Sequence, residues 1–537
     1  MVITPQTNIK LLKVPFEMDN SNQITFASAI AQYNYFNGLS DKLEYDNCTY
    51  QRKDGYMAIN EDADTLQSYN YCMYQNEQYG NKWFYAFITN VTYEGNEVSY
   101  VYLKTDVFQT WQFDIIWNKS FVEREHVNDD TLGLHTVPEN LETGEYVINS
   151  SVDVYSGSST SNVCIMCSDI PDEIKANTAV KFATYGGILS GCYMLVPDPE
   201  TVALSTTNFC RAMDELGKAE AIIGIFVIPT NLLPSMSYII YNIKVSEEHY
   251  ITTSLGVLPS TTGATTLATS SSFTAPASLN GYTPVNNKCR CYPYSYFYLT
   301  NNVGSDIEFH YEDFVSNSAS FKTVGIVTPS CSIRCVPLNY KKLSDSASSL
   351  NSYNYGMAVG KYPICSWRSD LFVNWLKENS YNLGLTIGGG IIATSMGIAT
   401  GNLTGTLAGA GAIAGAIGQV YQHSLVPDQA NGNTNTNDVT FSAGKIKATV
   451  HKMTVRNEYA KIIDNFFTMY GYKVNTLKIP NITGRSNWNY VKTIGCNIVG
   501  DIPQKDLQEL KSMFDNGVTL WHSASTFLDY SQTNNIV

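Results

Sequence analysis

From Asn379 to Pro427 the chain carries no Asp, Glu, Lys or Arg. The stretch reads NSYNLGLTIGGGIIATSMGIATGNLTGTLAGAGAIAGAIGQVYQHSLVP. A core helix is rarely so glycine-rich, because each interior Gly costs roughly 1 kcal/mol relative to Ala. A flexible polar linker would not hold so many Ile, Leu and Ala residues. Two homes remain: packing against copies of itself, or insertion in lipid.

The spacing within the stretch supports close helix contact. Gly397, Gly401, Gly405 and Gly409 stand four apart, and Gly411 and Gly415 repeat the interval. On a helix these form a ridge without side chains, and small-xxx-small ridges associate helices in lipid. Ile391, Ile392, Leu407, Ile413 and Ile417 supply apolar faces, and Gly384, Gly388, Gly389 and Gly390 precede them. Leu383 to Val420 is long enough for a helical hairpin, since one span needs about 20 residues. Thr386, Thr394, Ser395, Asn402, Thr404 and Thr406 interrupt the apolar run, which fits a conditional membrane segment better than a constitutive anchor. The competing structural reading is a tightly packed helix pair inside the fold, or a loop.

The remaining chain sets the context. Its 537 residues exceed one core and suggest three or four domains. Only 15% are charged, and there are 37 tyrosines, a mix suited to β-rich extracellular or virion surfaces. A net charge of −14, without a Lys/Arg cluster, argues against a protein that retains nucleic acid. The N-terminus shows no charged region followed by an apolar one, so no signal peptide is expected. Twelve cysteines include Cys164-x-x-Cys167 and the pairs Cys289/Cys291 and Cys331/Cys335. Free thiols in strands are favoured over a metal site or disulfides, since neither paired zinc spacing nor a secretory context is visible.

Local patterns predict an α+β, β-rich, multi-domain chain. Residues 1–150 alternate like a β domain. Lys82–Tyr93 and Glu97–Thr105 flank a hairpin turn at Glu94-Gly95-Asn96. Asp106 caps a short helix with Phe108, Trp111 and Gln112 on one face, and a strand follows at Trp117–Val127. Residues 151–345 read as an inserted β-rich domain, with a helix at Asp214–Ala221 and an exposed excursion over Ser254–Asn280. Residues 346–382 read as a helical connector, with Trp367, Leu371, Phe372 and Trp375 on one face of Tyr362–Glu378. Residues 383–427 form the apolar loop and 428–443 a polar linker. Residues 444–537 give βαββαβ, a split-βαβ or ferredoxin-like order. Its first helix, Glu458–Tyr470, carries Tyr459, Ile462, Ile463, Phe466, Phe467 and Tyr470 as a stripe and stops at Gly471. Its second starts at an Asp501-x-x-Gln504 capping box and turns Leu507, Leu510 and Phe514 inward.

Several of these blocks resemble one family. QYGNKWFYAF (Gln78–Phe87), DVFQTW (Asp106–Trp111) and SFVEREHV (Ser120–Val127) look like the N-terminal part of the tail-knob, or distal tail-tube, proteins of small podoviruses infecting Gram-positive bacteria, the phi-twenty-nine type among them. MYGYKVN (Met469–Asn475), NYVKT (Asn489–Thr493) and DLQELKSMFDNGVTLWH (Asp506–His522) are similar to the same family in the same order, with a Gly/Ala-rich insert between. Residues 151–345 carry no such match. The resemblance implies a structural virion protein at the distal end of the tail, made and assembled in the host cytoplasm. It implies discontinuous β-barrel or sheet tube domains, a homohexamer, and contact with the upper tail tube and a tail-tip lysin. It implies that the insert plugs the lumen and then breaches the host cytoplasmic membrane, with phage DNA as a transient passenger.

No catalytic motif competes strongly. Glu123 and Glu125 share a strand face, with His126 opposite; two carboxylates on one face are glycosidase material, but ion pairing is the plainer reading. There is no HExxH, GxSxG, Walker motif or GxGxxG after a strand, so no catalysis, cofactor or metal is expected. His451 and His522 read as hydrogen-bonded structural histidines. Trp83-Phe84-Tyr85 reads as core, whereas YPYSYFY (Tyr292–Tyr298) fits an exposed edge, an interface or a carbohydrate-contacting surface. Two rival functions stay open: a receptor- or wall-binding tail-tip protein using 151–345 and YPYSYFY, and a peptidoglycan hydrolase using Glu123 and Glu125.

Overall fold

The computed structural model describes residues 6–361, 364–366 and 447–537, apart from 52–54, 78–79, 157–160, 186–187, 190, 259–264, 271, 316–317, 326, 328–331 and 342–354. The chain divides into two compact units. One comprises Met1–Gly144, Gly281–Cys291 and Arg456–Val537, so the two ends of the sequence fold together; the other comprises Glu145–Asn280 and Tyr292–Val455.

The first unit contains a closed six-stranded barrel. Thr7–Leu12 pairs with Lys42–Gln51 and with Tyr71–Asn76, Tyr56–Ile59 bridges Lys42–Gln51 to Val98–Thr105, and Trp83–Gly95 completes the ring. Closure leaves no strand edge to aggregate. The period-2 alternation of Tyr71–Asn76 and Trp83–Gly95 feeds two cores. Cys72, Tyr74, Phe84, Ala86 and Ile88 point into one cluster with Val107, Phe108, Trp111, Leu510, Met513 and Phe514. Tyr71, Met73, Tyr85 and Phe87 point into another with Phe16, Phe36, Trp488 and Trp521. In the hairpin, Gly95 pairs with Val98, so the turn is Asn96-Glu97, with Glu97 at φ 56. The expected turn is thus displaced by one residue. Asp106 does cap Val107–Trp111, accepting from Gln109 N at 3.1 Å.

A five-stranded sheet completes this unit, in the order Asn22–Ile24, Val518–Trp521, Trp488–Ile494, Ser120–Glu125, Tyr472–Lys478. It corrects the expected C-terminal βαββαβ fold. The elements occur in the anticipated order, but Lys447–Val455 belongs to the other unit, and two N-terminal strands enter the sheet instead. Periodicity fixes element type; it does not choose the hydrogen-bonding partner. The expected strand Trp117–Val127 is split into Ile116–Trp117 and Ser120–Glu125, the former paired with Ile498–Val499.

The two C-terminal helices keep their limits closely but not all their details. Asn457–Tyr470 buries Ala460, Ile463, Asp464 and Phe467, while Ile462 is 67% exposed, so the buried stripe is narrower than the apolar one. Gly471 ends it at φ 63, and a Cβ there would lie 2.2 Å from Glu125 O. Helix Gln504–Asn516 has Pro503 as its N-cap and no side-chain cap bond, so the capping box does not form. Leu510 and Phe514 are fully buried as anticipated.

The second unit is β-rich. A six-stranded sheet runs Ile239–Lys244, Tyr250–Val257, Tyr193–Pro197, Ser161–Cys167, Ile222–Pro229, Ile364–Ser366. A four-stranded sheet runs Tyr146–Ser156, Lys447–Val455, Ser295–Thr300, Asp306–Phe309, and a second runs Thr265–Thr269, Ser320–Gly325, Ser332–Leu338, Met357–Lys361. Three expectations change here. The connector 346–382 is not helical at Met357–Lys361 or Ile364–Ser366, which are strands; Met357 and Val359 alternate into the core, a two-residue period. The rest of the anticipated helix Tyr362–Glu378 lies outside the described residues. Ser254–Asn280 is partly strand, and the helix placed at Asp214–Ala221 runs instead over Val202–Glu215, with only a 3-10 turn at Ala219–Ala221.

The second cluster turns on one ring. Phe36 stacks on Tyr71 at 5.5 Å and meets Tyr85 at 4.7 Å, Phe16 at 6.0 Å and Phe26 at 6.0 Å. Phe36 lies in helix Ala29–Asn37, whose N-cap Ser28 accepts from Ala31 N at 3.2 Å. Phe36→Ala is expected to lower unfolding free energy by roughly 3–5 kcal/mol, against about 1 kcal/mol for Ser28→Ala. Urea denaturation of the two variants checks the ranking.

Candidate functional site

The residues singled out in the sequence as membrane-active — Gly384, Gly388, Gly389, Gly390, Ile391, Ile392, Gly397, Gly401, Gly405, Leu407, Gly409, Gly411, Ile413, Gly415 and Ile417 — lie outside the described residues. Their anchors do not. On one side Ile364–Ser366 pairs with Ile222–Pro229 through Gly224↔Ser366 and Phe226↔Ile364. On the other, Lys447–Val455 is the second strand of a sheet, bonded on both sides to Tyr146–Ser156 and Ser295–Thr300. Both anchors sit in the same compact unit. Residues 367–446 are thus flanked on both sides by strands of one compact unit. Among the described residues no helix is long and apolar enough to cross a membrane.

The most heavily built polar site is in the other unit, where Gly281–Cys291 is clasped by three carboxylates. Asp464, 1% exposed, projects from helix Asn457–Tyr470. It accepts from Tyr282 OH at 2.7 Å, Val285 N at 2.8 Å, Asn286 N at 2.9 Å and Asn286 Nδ2 at 2.8 Å. Asp130 accepts from Asn287 N at 3.0 Å and from Tyr472 OH at 2.6 Å. Glu139 accepts from buried Lys288, from Arg124 and, at 2.9 Å, from Lys473 N. Burial lowers the Lys288 ammonium below its ordinary value, against the pull of Glu139. A buried carboxylate survives only when its lone pairs are filled, and here they are.

None of these carboxylates was singled out in the sequence. The signal was available: Asp464 interrupts an apolar stripe between Ile463 and Phe467, a position where a charge needs dedicated partners. Asp464→Ala strands the Val285 and Asn286 donors and is expected to destabilise by on the order of 4 kcal/mol. It should also expose Gly281–Cys291 to limited proteolysis before the rest of the chain; unchanged cleavage kinetics would contradict the clasp.

The acidic pair flagged for hydrolysis is tied up structurally. Glu125 is fully buried; it accepts from Lys478 and, at 2.8 Å, from Asn481 N. Glu123 pairs with Lys492 at 2.9 Å. A cleft of about 440 Å³ opens beside Glu125, Asp129, His135, Lys473 and Lys478, but Glu123 does not line it. The two carboxyls thus do not face one space, as cleavage of a glycosidic bond requires. Among the described residues no group of three His, Cys, Asp or Glu is placed to hold a metal, and ten cysteines, Cys164 and Cys167 included, are in the thiol form, outside any disulfide.

His126 locks two segments of the first unit together. Its Nδ1 accepts from Tyr490 N at 2.7 Å and its Nε2 donates to Thr468 O at 3.0 Å, so the ring must be neutral. Burial, with the charges of Arg485 and Arg124 added, pushes it down to about 3. His522, which bonds Thr25 and Asn489, is lowered by burial too. An unfolded chain protonates such a ring near 6.5. The unfolded state therefore binds more protons between these values, and the stability contributed by neutral His126 is complete above pH 6.5 and is lost as pH falls toward 3. His126→Gln should reduce the slope of unfolding free energy between pH 4 and 6 by up to ~1.4 kcal/mol per pH unit. Denaturation curves across that range measure it.

Comparison with known proteins gives this architecture a context. Residues 5–118, which contain the barrel, match a family described as the N-terminus of the caudoviral major tail protein. Residues 264–535 match the C-terminal domain of the tail knob protein gp9 of Bacillus phage phi29. Over 96% of both chains the protein is 27% identical to that phi29 tail knob protein, and it is 24% identical to the tail knob protein gp9 of Bacillus phage B103 over 99% of this chain and 98% of the relative. Its fold is similar to the solved tail knob protein gp12 of bacteriophage C1, with a TM-score of 0.59 at 15% identity, covering 99% of this chain and all of the other. These matches define the class as a structural component of a phage tail. The phi29-type match alone spans more than half of the chain, and the protein belongs to the tail knob family, located at the tail of the virion.

Proposed function

We propose that six copies of this tail knob protein form the distal tail tube, that phage DNA passes through its lumen, and that residues 383–420 penetrate the host cytoplasmic membrane. The observation that carries this reading is the uncharged, glycine-ridged stretch rooted between two strands of one β-rich body. Anchors held by sheet hydrogen bonds let such a segment change surroundings without unfolding its host unit. In hydrocarbon it must satisfy its own backbone, and a helix is the conformation open to it. The ridge Gly397, Gly401, Gly405, Gly409 then brings helices of neighbouring copies into close contact. A net charge of −14 suits a channel that releases its polyanionic passenger, since retained phosphate contacts would slow transit. The other tail proteins, an upper tube and a tail-tip lysin, are its partners in this arrangement, and it catalyses no reaction.

Dye release from liposomes tests the penetration step. The full chain should release dye at mildly acidic or neutral pH, and a chain lacking 383–420 should not. Equal leakage from both would remove the membrane role while leaving membership of the tail intact.

A further inference from the structure

We propose that the outward face of the four-stranded sheet Tyr146–Ser156, Lys447–Val455, Ser295–Thr300, Asp306–Phe309 is a binding shelf for an uncharged glycan. The reading is independent of the tube and of the apolar stretch.

The central strand divides cleanly. Phe297 and Leu299 are fully buried, whereas Tyr296 and Tyr298 alternate to the other face and are only partly buried. Cross-strand register builds rows on that face. Tyr298 stands opposite Glu308 on one side and His451 on the other, and His451 stands opposite Ser151. Tyr296 stands opposite Met453, which opposes Ile148, itself 56% exposed. The Tyr298 and His451 rings are 6.4 Å apart and within 18° of parallel, in a stacked arrangement, so together they form an aromatic strip.

The strip continues past the strand end. Tyr292, 41% exposed, stacks on His310 at 3.9 Å and meets Tyr296 at 6.2 Å; Tyr146 meets Tyr296 edge-on at 5.3 Å. The rings are fixed rather than loose. Ser151 Oγ lies 2.7 Å from His451 Nδ1, His310 Nε2 lies 3.0 Å from Glu308 Oε1, and Tyr292 N donates to Glu312 Oε1 at 3.1 Å. The other Glu312 oxygen is buried and takes no hydrogen bond among the described residues.

The chemistry of this shelf selects its occupant. Aromatic faces are negative and attract the polarised C–H face of a pyranose, while hydroxyl and amide groups need acceptors at the rim. Glu308 and Asp306, opposite Tyr298 and Thr300, supply those acceptors. The same carboxylates repel a polyanion such as a teichoic acid or nucleic acid, and Lys447 at the rim is neutralised by Asp153 at 2.8 Å. An apolar protein surface would leave His310, His451 and Glu308 desolvated against nothing polar. A neutral N-acetylhexosamine glycan satisfies both halves.

The test uses the full chain and sacculi from a Gram-positive bacterium stripped of teichoic acid. The protein should sediment with the sacculi and be released by free chitotetraose. The double variant Tyr296→Ala/Tyr298→Ala should lose retention at least tenfold with an unchanged circular dichroism spectrum, while Tyr100→Ala/Tyr102→Ala, on the barrel strand Val98–Thr105 where both rings meet Tyr56 at 4.5 and 5.7 Å, should not. Glu308→Lys, on the exposed rim, should weaken retention on stripped walls. Four results each overturn the proposal: no sedimentation, sedimentation only with teichoic-acid-bearing walls, no release by chitotetraose, or full retention by the folded double variant. Release by chitotetraose decides the matter if the double variant does not fold.

Discussion

Two barrel segments, Tyr71–Tyr74 and Phe84–Ile88, are buried on both faces, and the first unit is organised around that fact. Alternate side chains enter two different apolar clusters, one completed by helix Gln504–Asn516 and one by Phe36, Trp488 and Trp521. A strand buried on both sides cannot slip by one residue, because every side chain would move into the wrong cluster. The barrel thereby fixes the C-terminal segment in position although roughly four hundred residues separate them in sequence. That coupling explains why the two ends of the chain form one body, with the second unit carried as an excursion.

Polar chemistry in this body serves attachment. Asp464, Asp130 and Glu139 receive the backbone and side chains of Gly281–Cys291, and Glu125 and His126 fasten the sheet to the segments beside it. Buried charges of this kind add less net stability than their number suggests, since desolvation offsets most of the attraction. Their effect is on specificity: only one docking of the segment fills every lone pair. A carboxylate committed in this way is also unavailable for catalysis, which accords with a structural role in the tail.

The second unit combines two surfaces of different character. Its sheets anchor both ends of the apolar stretch, and one of them turns tyrosines and histidines outward. The tyrosine shelf suits a hydroxyl-rich polymer; the charge-free stretch suits lipid.

How much of this was legible beforehand depends on which forces act locally. The charge-free stretch, the Asp106 cap, the helix ending at Gly471, and the hairpin all follow from residue chemistry within a few positions, so they could be read directly. The family resemblance was legible in blocks such as DVFQTW and NYVKT. The helical reading fails at Met357–Lys361 and Ile364–Ser366, which are strands, because apolar spacing in a short run does not separate a helix from a buried strand. The ferredoxin-like reading failed because Lys447–Val455 alternates equally well in any sheet. Composition and periodicity thus determined the charge-free stretch and the helices Val107–Trp111, Asn457–Tyr470 and Gln504–Asn516. Only the tertiary structure decided that Lys447–Val455 joins Tyr146–Ser156, that Ser120–Glu125 enters the C-terminal sheet, and that Asp464 is a clasp, because backbone hydrogen bonds carry no residue identity and a buried charge is tolerated only once distant donors converge on it.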